Sequence, residues 1–173
     1  MKIRDAIQDE LALIREQRVH AYREHAQVIP RGHWRALERA ISSEADTQPG
    51  AELIVAELDG QIVGSVVLFP PNTDAYDGHV EALDHPEIRM LAVAPDCRGQ
   101  GVASALISEC IQRSEAKGFH SIGLHTGEFM KSARQLYEKI GFERLPEYDF
   151  QPADDGITVM AFRLRLTPDS NKL

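Results

Sequence analysis

Cysteine is nearly missing from this chain: Cys97 and Cys110 are the only two, with twelve residues between them. No CxxC pair occurs, which excludes a zinc ribbon and a dithiol redox motif, and the two thiols read as free in a reducing compartment. Long apolar runs are missing too. No stretch approaches the roughly 20 residues a membrane span requires. The opening Met1-Lys2-Ile3-Arg4-Asp5 leads into a charged segment and lacks the apolar stretch of a signal peptide. The expectation is therefore a cytoplasmic protein with no membrane partner. Basic residues are outnumbered, with 19 Lys and Arg against 27 Asp and Glu for a net charge of -8. Such a balance excludes the usual basic face of a nucleic-acid binder and suits a cationic ligand better. The histidines assemble no metal site. His20 and His25 are five apart and point to different faces of one helix, His79 and His85 have no further spaced ligand, and HExxH is absent.

What is present is enough for one domain over residues 1–173. An apolar share of 43% and a charged share of 27% are ordinary for a globular protein, and a chain of this length buries about 70% of its unfolded surface. The pattern predicts a short strand at residues 2–4, a helix from about Asp5 to Ala26 and, after Pro30, a second from Trp34 to Ser43. Two β-rich runs, Glu52 to Leu58 and Gln61 to Phe69, flank Asp59-Gly60, a hairpin signal. A polar loop from Asn72 to Pro86 precedes a strand from Glu87 to Ala94, and a helix from Gly101 to Lys117 stops at Gly118. A strand around Ser121 to His125, a helix from about Met130 to Ile140 and a last strand from Ile157 to Leu166 complete the order. In that last strand Thr158, Met160, Phe162, Leu164 and Leu166 are expected on one face. The fold class is α/β with a mixed sheet.

The sharpest local feature is Val93-Ala94-Pro95-Asp96-Cys97-Arg98-Gly99-Gln100-Gly101-Val102-Ala103. A strand enters a glycine-bearing turn and a helix starts at once, so unpaired backbone N–H groups and the positive end of a helix dipole converge on one point. An anion fits there, most naturally a phosphate or pyrophosphate. Gly99 and Gly101 let the backbone approach it, and Arg98 can add a charge-assisted contact. The turn is neither a P-loop nor a dinucleotide fingerprint. Read without a ligand, it is a strand-to-helix turn that uses glycine for geometry alone.

These residues resemble the GNAT superfamily of N-acetyltransferases. Arg98-Gly99-Gln100-Gly101-Val102-Ala103 matches the family's Arg/Gln-x-x-Gly-x-Gly/Ala motif for the pyrophosphate of coenzyme A, and Met90 to Pro95 looks like its L-x-V-x-P strand. Ala133-Arg134-Gln135-Leu136-Tyr137-Glu138-Lys139-Ile140-Gly141-Phe142 looks like its A-x-x-L-Y-E-K-x-G-F segment. The resemblance implies a mostly antiparallel central sheet whose strands at 87–94 and 121–126 splay, flanked by helices. It implies acetyl-CoA as cosubstrate and a primary amine as acceptor, on a small molecule or at a lysine or N-terminus. The pantetheine arm is expected on the backbone of Leu91, Ala92 and Val93, and the pyrophosphate on the amides of Arg98, Gly99, Gln100, Gly101, Val102 and Ala103, with Ser104 nearby. Ala133 and Tyr137 belong to the same cosubstrate site, with Tyr137 protonating the departing thiolate. Many members carry Asn where this chain has Met130, which donates no hydrogen bond, so Thr126 or His125 is expected to substitute.

An alkyl ammonium must lose a proton before it attacks. Glu87 stands where histone-acetyltransferase members place their base glutamate, so it is the expected base, directly or through one water. The alternative for Glu87 is a solvated strand start, and for His125 a structural strand end. Asp74, Asp77, Glu81, Asp84 and Glu87, with no Lys or Arg between Pro70 and Glu87, favour a cationic acceptor. Cys97 lies beside amides that could lower its pKa, yet direct transfer needs no acyl-enzyme. Trp34 and His33 stand where the family shapes its acceptor pocket, and Trp34 reads equally as core. Two other readings stand beside the enzyme: a catalytically silent sensor that binds coenzyme A, and a structural domain with an empty glycine turn. Monomer and homodimer both remain open.

Overall fold

The computed structural model describes residues 1–72 and 83–168; Asp74, Asp77, His79 and Glu81 of the acidic loop lie outside the described residues. The elements run β1 (Lys2–Asp5), α1 (Leu11–Tyr22), α2 (Arg31–Ser42), β2 (Glu52–Leu58), β3 (Gln61–Phe69), β4 (Glu87–Val93), α3 (Val102–Ala116), β5 (Ser121–Gly127), α4 (Lys131–Ile140), β6 (Glu143–Arg144) and β7 (Val159–Arg165). The strands are ordered β1-β2-β3-β4-β5-β7-β6 in one seven-stranded sheet. It is mostly antiparallel, with β4 and β5 parallel, and the architecture is mixed α/β.

The residues group into two compact units, Met1–Leu68 with Arg89–Glu109, and Phe69–Ile88 with Cys110–Leu173. In the first unit the Asp59-Gly60 pair has φ of 50° and 79°, both left-handed, as a two-residue hairpin turn requires, and Leu58 pairs directly with Gln61. Ile14 of α1, Ile41 of α2 and Ile54, Val55 and Val66 of the sheet are buried. A charged knot lies among them. Asp46, fully buried, accepts from Arg15 Nη2 at 2.7 Å and from Arg18 Nη1 at 3.1 Å, and Arg18 is itself fully buried. Burial pulls the Arg18 guanidinium below its usual range, against the opposing pull of Asp46.

In the second unit Ile88, Ile122, Leu124 and Phe162 form the core, each contributing about 1.5–3 kcal/mol by leaving water. Tyr137 of α4 packs its ring 5.9 Å from that of Phe142 and 6.4 Å from that of Phe162. β5 and β7 pair over their whole length, from Ser121↔Arg165 to Gly127↔Val159.

Several boundaries differ from the sequence expectation. The first helix starts at Leu11 after a 3-10 turn, because Ala6 N–H still donates to Leu53 O at 2.9 Å and holds the chain to the sheet; it relaxes into a second 3-10 turn at Arg23–Gln27. α2 begins at Arg31, directly after Pro30, whose fixed φ suits a helix entry. β7 starts at Val159, so Thr158 falls outside it. Its alternation is also blurred: Ala161 and Phe162, on opposite faces of the strand, are both buried.

Candidate active site

Met90 has a φ of 58° in the middle of β4. A left-handed residue with a side chain costs about 1–2 kcal/mol and marks a strand that is forced to change direction. The ladder between β4 and β5 stops just before it, holding two pairs, Glu87↔Gly123 and Ile88↔Leu124. Leu91, Ala92 and Val93 follow the strained residue, and Ala94 N–H then donates to Val63 O at 2.8 Å. Nothing in the sequence flagged Met90, because the strain comes from tertiary context and not from a glycine.

The turn between β4 and α3 places Gly99 and Gly101 at φ of 76° and 82°. Nothing lies within 4 Å of the position a Cβ would take at either glycine. Glycine is thus needed for its backbone angles, and the ground in front of these residues is open, which fits a phosphate approaching the amides of Arg98 to Ala103. Ala105 N–H donates to Gly101 O at 3.0 Å, so α3 is hydrogen-bonded from its first turn. Ser104 follows in the same turn. Arg98, the expected phosphate partner, is engaged elsewhere: Nη1 donates to Glu24 Oε2 at 2.6 Å and Nη2 to Ala21 O at 3.2 Å. Cys97 departs from expectation. Lost hydration and then the Asp96 carboxylate push its thiol up, so the neighbouring amides do not activate it.

In the second unit Glu87 is buried, at 5% exposure, and is not the solvated strand start its sequence context allowed. Its carboxylate lies over Gly123: a Cβ at Gly123 would collide with Glu87 Oε1 and fall 2.5 Å from His85 Cε1. Glu87 Oε1 is 3.8 Å from His85 Nδ1, and Oε2 is 3.4 Å from His125 Nδ1. His85 Nδ1 is also 3.2 Å from Pro86 O, and Gly123 N–H donates to that same oxygen at 2.9 Å. The two imidazoles therefore bracket one carboxylate. The signal that finds His125 is register: Glu87 pairs with Gly123, so a residue two further along β5 shares its face.

Leu124 pairs with Phe162, against which Tyr137 packs, whereas Glu87 lies over Gly123. Successive strand residues face opposite ways, so the Glu87 carboxylate and the Tyr137 ring lie against opposite faces of the ladder. Thr126 is buried, and its Oγ1 donates to Met130 Sδ at 3.3 Å. The hydroxyl expected to replace the common Asn is thus occupied by the residue that replaced it, and His125 is turned towards Glu87. Ala133 lies on α4, one turn before Tyr137. His33 is buried, while Trp34 is only half-buried and is no core anchor. Among the described residues no group of His, Cys, Asp and Glu could hold a metal ion, and no helix is long and apolar enough to cross a membrane.

The model of the GNAT acetyltransferase family matches residues 14–142. An acetyltransferase of Pectobacterium atrosepticum is 35% identical over 107 residues, which is 62% of this chain and 64% of that relative, so the match spans just under two thirds of its length. Among solved structures, a Corynebacterium glutamicum protein described as histone acetyltransferase HPA2 and related acetyltransferase superposes with a TM-score of 0.71 at 23% identity, covering 98% of both chains. An aminoglycoside 6'-N-acetyltransferase complexed with coenzyme A superposes with a TM-score of 0.65 at 16% identity, covering 98% of this chain and 99% of that one. At these identities the structural likenesses establish the fold.

Proposed function

The chain belongs to the GNAT family of acetyltransferases, and on that premise we propose that it is an acetyl-CoA-dependent N-acetyltransferase acting on a primary amine. The observation that carries the reading is the joint presence of an open glycine turn at a helix N-terminus and a strained β4 beside it. Each would be an unexplained cost in a purely structural domain.

The amides of Arg98 to Ala103, with Ser104 nearby, hold the pyrophosphate. The backbone of Leu91, Ala92 and Val93, turned out of the β5 ladder beyond Met90, pairs with the pantetheine arm, and an N–H of this segment steadies the thioester oxygen as negative charge gathers on it. Glu87 takes a proton from the incoming ammonium, directly or through one water, so that the amine can attack the carbonyl carbon. Tyr137 donates a proton to the sulfur as the C–S bond breaks; a phenol is an adequate acid for a thiolate. Their placement on opposite faces suits a reaction in which the nucleophile arrives from one side and the leaving group departs on the other. Thr126 and Ala133 are assigned to the cosubstrate as well.

The acceptor is proposed to be cationic, drawn by the net charge of -8. The test is a panel of polyamines, aminoglycosides, amino acids and lysine peptides assayed for thiol release from acetyl-CoA. Release that needs both protein and amine, with the acetylated amine found by mass spectrometry, supports the reading. A protein that binds acetyl-CoA yet acetylates no amine in the panel would favour a silent sensor instead.

A further inference from the structure

His125 stands between a carbonyl and a carboxylate. Its Nε2 is 3.0 Å from Tyr148 O, its Nδ1 is 3.4 Å from Glu87 Oε2, and its side chain is 1% exposed. A carbonyl oxygen can only accept, so Nε2 carries a hydrogen and donates it to Tyr148 O. An ionised carboxylate can only accept as well. A neutral ring with its hydrogen on Nε2 therefore sets the Nδ1 lone pair against Glu87 Oε2, and that contact is repulsive. One added proton converts it into a charge-assisted hydrogen bond.

We propose that His125 is a positioning residue of the base, acting through Glu87: the proton that Glu87 takes from the amine is shared with His125 Nδ1. This rests on the reading of Glu87 as the base. The step balances without a co-reactant. One N–H bond of the attacking amine breaks, and its hydrogen bonds to Glu87 Oε2 and is held against Nδ1. The pair passes from one negative charge to none, and the proton leaves to water before the next turnover. Sharing the proton removes the lone-pair repulsion between Nδ1 and Oε2. The His125 side chain is 1% exposed against 6% for Glu87, so Glu87 makes the contact and His125 receives through it.

The surroundings are consistent with this division. Phe150 packs against the His125 ring, with centroids 5.6 Å apart and the planes tilted by 53°. The Asp149 carboxylate acts on His125 from the chain beyond β6, and Arg144 donates to both Asp149 oxygens, at 2.9 Å and 2.5 Å, which moderates that field. His85 approaches the other oxygen of Glu87, and Arg163 of β7, paired with Gly123, shares the face. Gly123 leaves the space the carboxylate fills.

Two measurements test this. The first is a double-mutant cycle on turnover with an amine from the panel. Glu87→Gln is expected to lower kcat by about 100-fold and His125→Gln by about tenfold, each with both KM values changed less than threefold. In the Glu87→Gln background, His125→Gln should cost less than threefold more, because a residue acting through Glu87 has nothing left to act on. Costs that multiply overturn the inference while leaving Glu87 as base. Glu87→Gln with wild-type turnover refutes the base reading itself. The second measurement needs no acceptor and no folded variant: ring ¹⁵N resonances of the neutral His125 in the wild-type protein. A hydrogen on Nε2 and a bare Nδ1 is the expected result. A hydrogen on Nδ1 overturns the inference, since that nitrogen could then receive nothing.

Discussion

Replacing Gly123 with alanine adds one methyl group where the structure has no room. The new Cβ would lie 2.5 Å from His85 Cε1 and closer still to Glu87 Oε1. Carbon atoms pack at about 3.5–4.0 Å, so His85 and the Glu87 carboxylate must retreat by about 1 Å. A misplacement of that size at a reacting group costs about 100-fold in rate, equivalent to about 2.7 kcal/mol of barrier. Gly123 has no left-handed backbone to lose, so the effect comes from the side chains it displaces. The variant should therefore show kcat lowered about 100-fold with the best amine of the panel. Its acetyl-CoA affinity should stay within twofold of wild type, because the glycine turn and the Leu91 to Val93 backbone are untouched. Overpacking is expected to cost about 1–3 kcal/mol of stability, so thermal melting must confirm a folded variant at the assay temperature. Turnover within threefold of wild type, in a folded Gly123→Ala protein, would refute the claim that the Glu87 carboxylate is positioned for chemistry.

Tyr137→Phe keeps the ring against Phe142 and Phe162 and removes only the hydroxyl. It should lower kcat by about 100-fold with little change in melting temperature, and wild-type turnover would remove Tyr137 as the acid. Asp46→Ala leaves Arg18 buried, with Ile41 O at 2.7 Å as its remaining acceptor among the described residues. Breaking such a pair costs about 3–5 kcal/mol, which at about 2–4 °C per kcal/mol lowers Tm by about 10 °C; a change under 3 °C would contradict the burial argument. Glu24→Gln frees Arg98 for the cosubstrate. An exposed pair holds about 0.2–1 kcal/mol, so acetyl-CoA should bind up to about fivefold tighter by calorimetry, and weaker binding would show that Arg98 plays no part in holding phosphate.

Local chemistry made much of this legible in the residues. Asp59-Gly60 has the two left-handed residues that a short hairpin demands, and β2 and β3 fall where the apolar runs end. Gly99 and Gly101 marked the turn before α3 because few other residues tolerate those angles. What the sequence concealed depends on partners far along the chain. Met90 looks like any apolar strand residue, and its φ of 58° is imposed by the fold. His125 reads as an isolated strand end until register brings Glu87 opposite Gly123. Arg98 matched a phosphate motif, but its pairing with Glu24 crosses from α3's approach to the 3-10 turn after α1, which periodicity does not encode. Helix limits shifted for a similar reason, with Ala6 held to Leu53 by a tertiary hydrogen bond.

The central claim is that the turn from Arg98 to Ala103 holds the pyrophosphate of acetyl-CoA, and calorimetric titration into wild type and Gly101→Glu tests it most directly. Glutamate at φ of 82° brings both a strained backbone and an anion to the open ground before the amides. Melting curves of the two proteins first confirm that the variant is folded. The account predicts one site per chain with a dissociation constant on the order of micromolar in the wild type, and no measurable heat of binding in Gly101→Glu. A wild-type protein that binds no acetyl-CoA, or a folded Gly101→Glu that binds it equally well, would contradict the account.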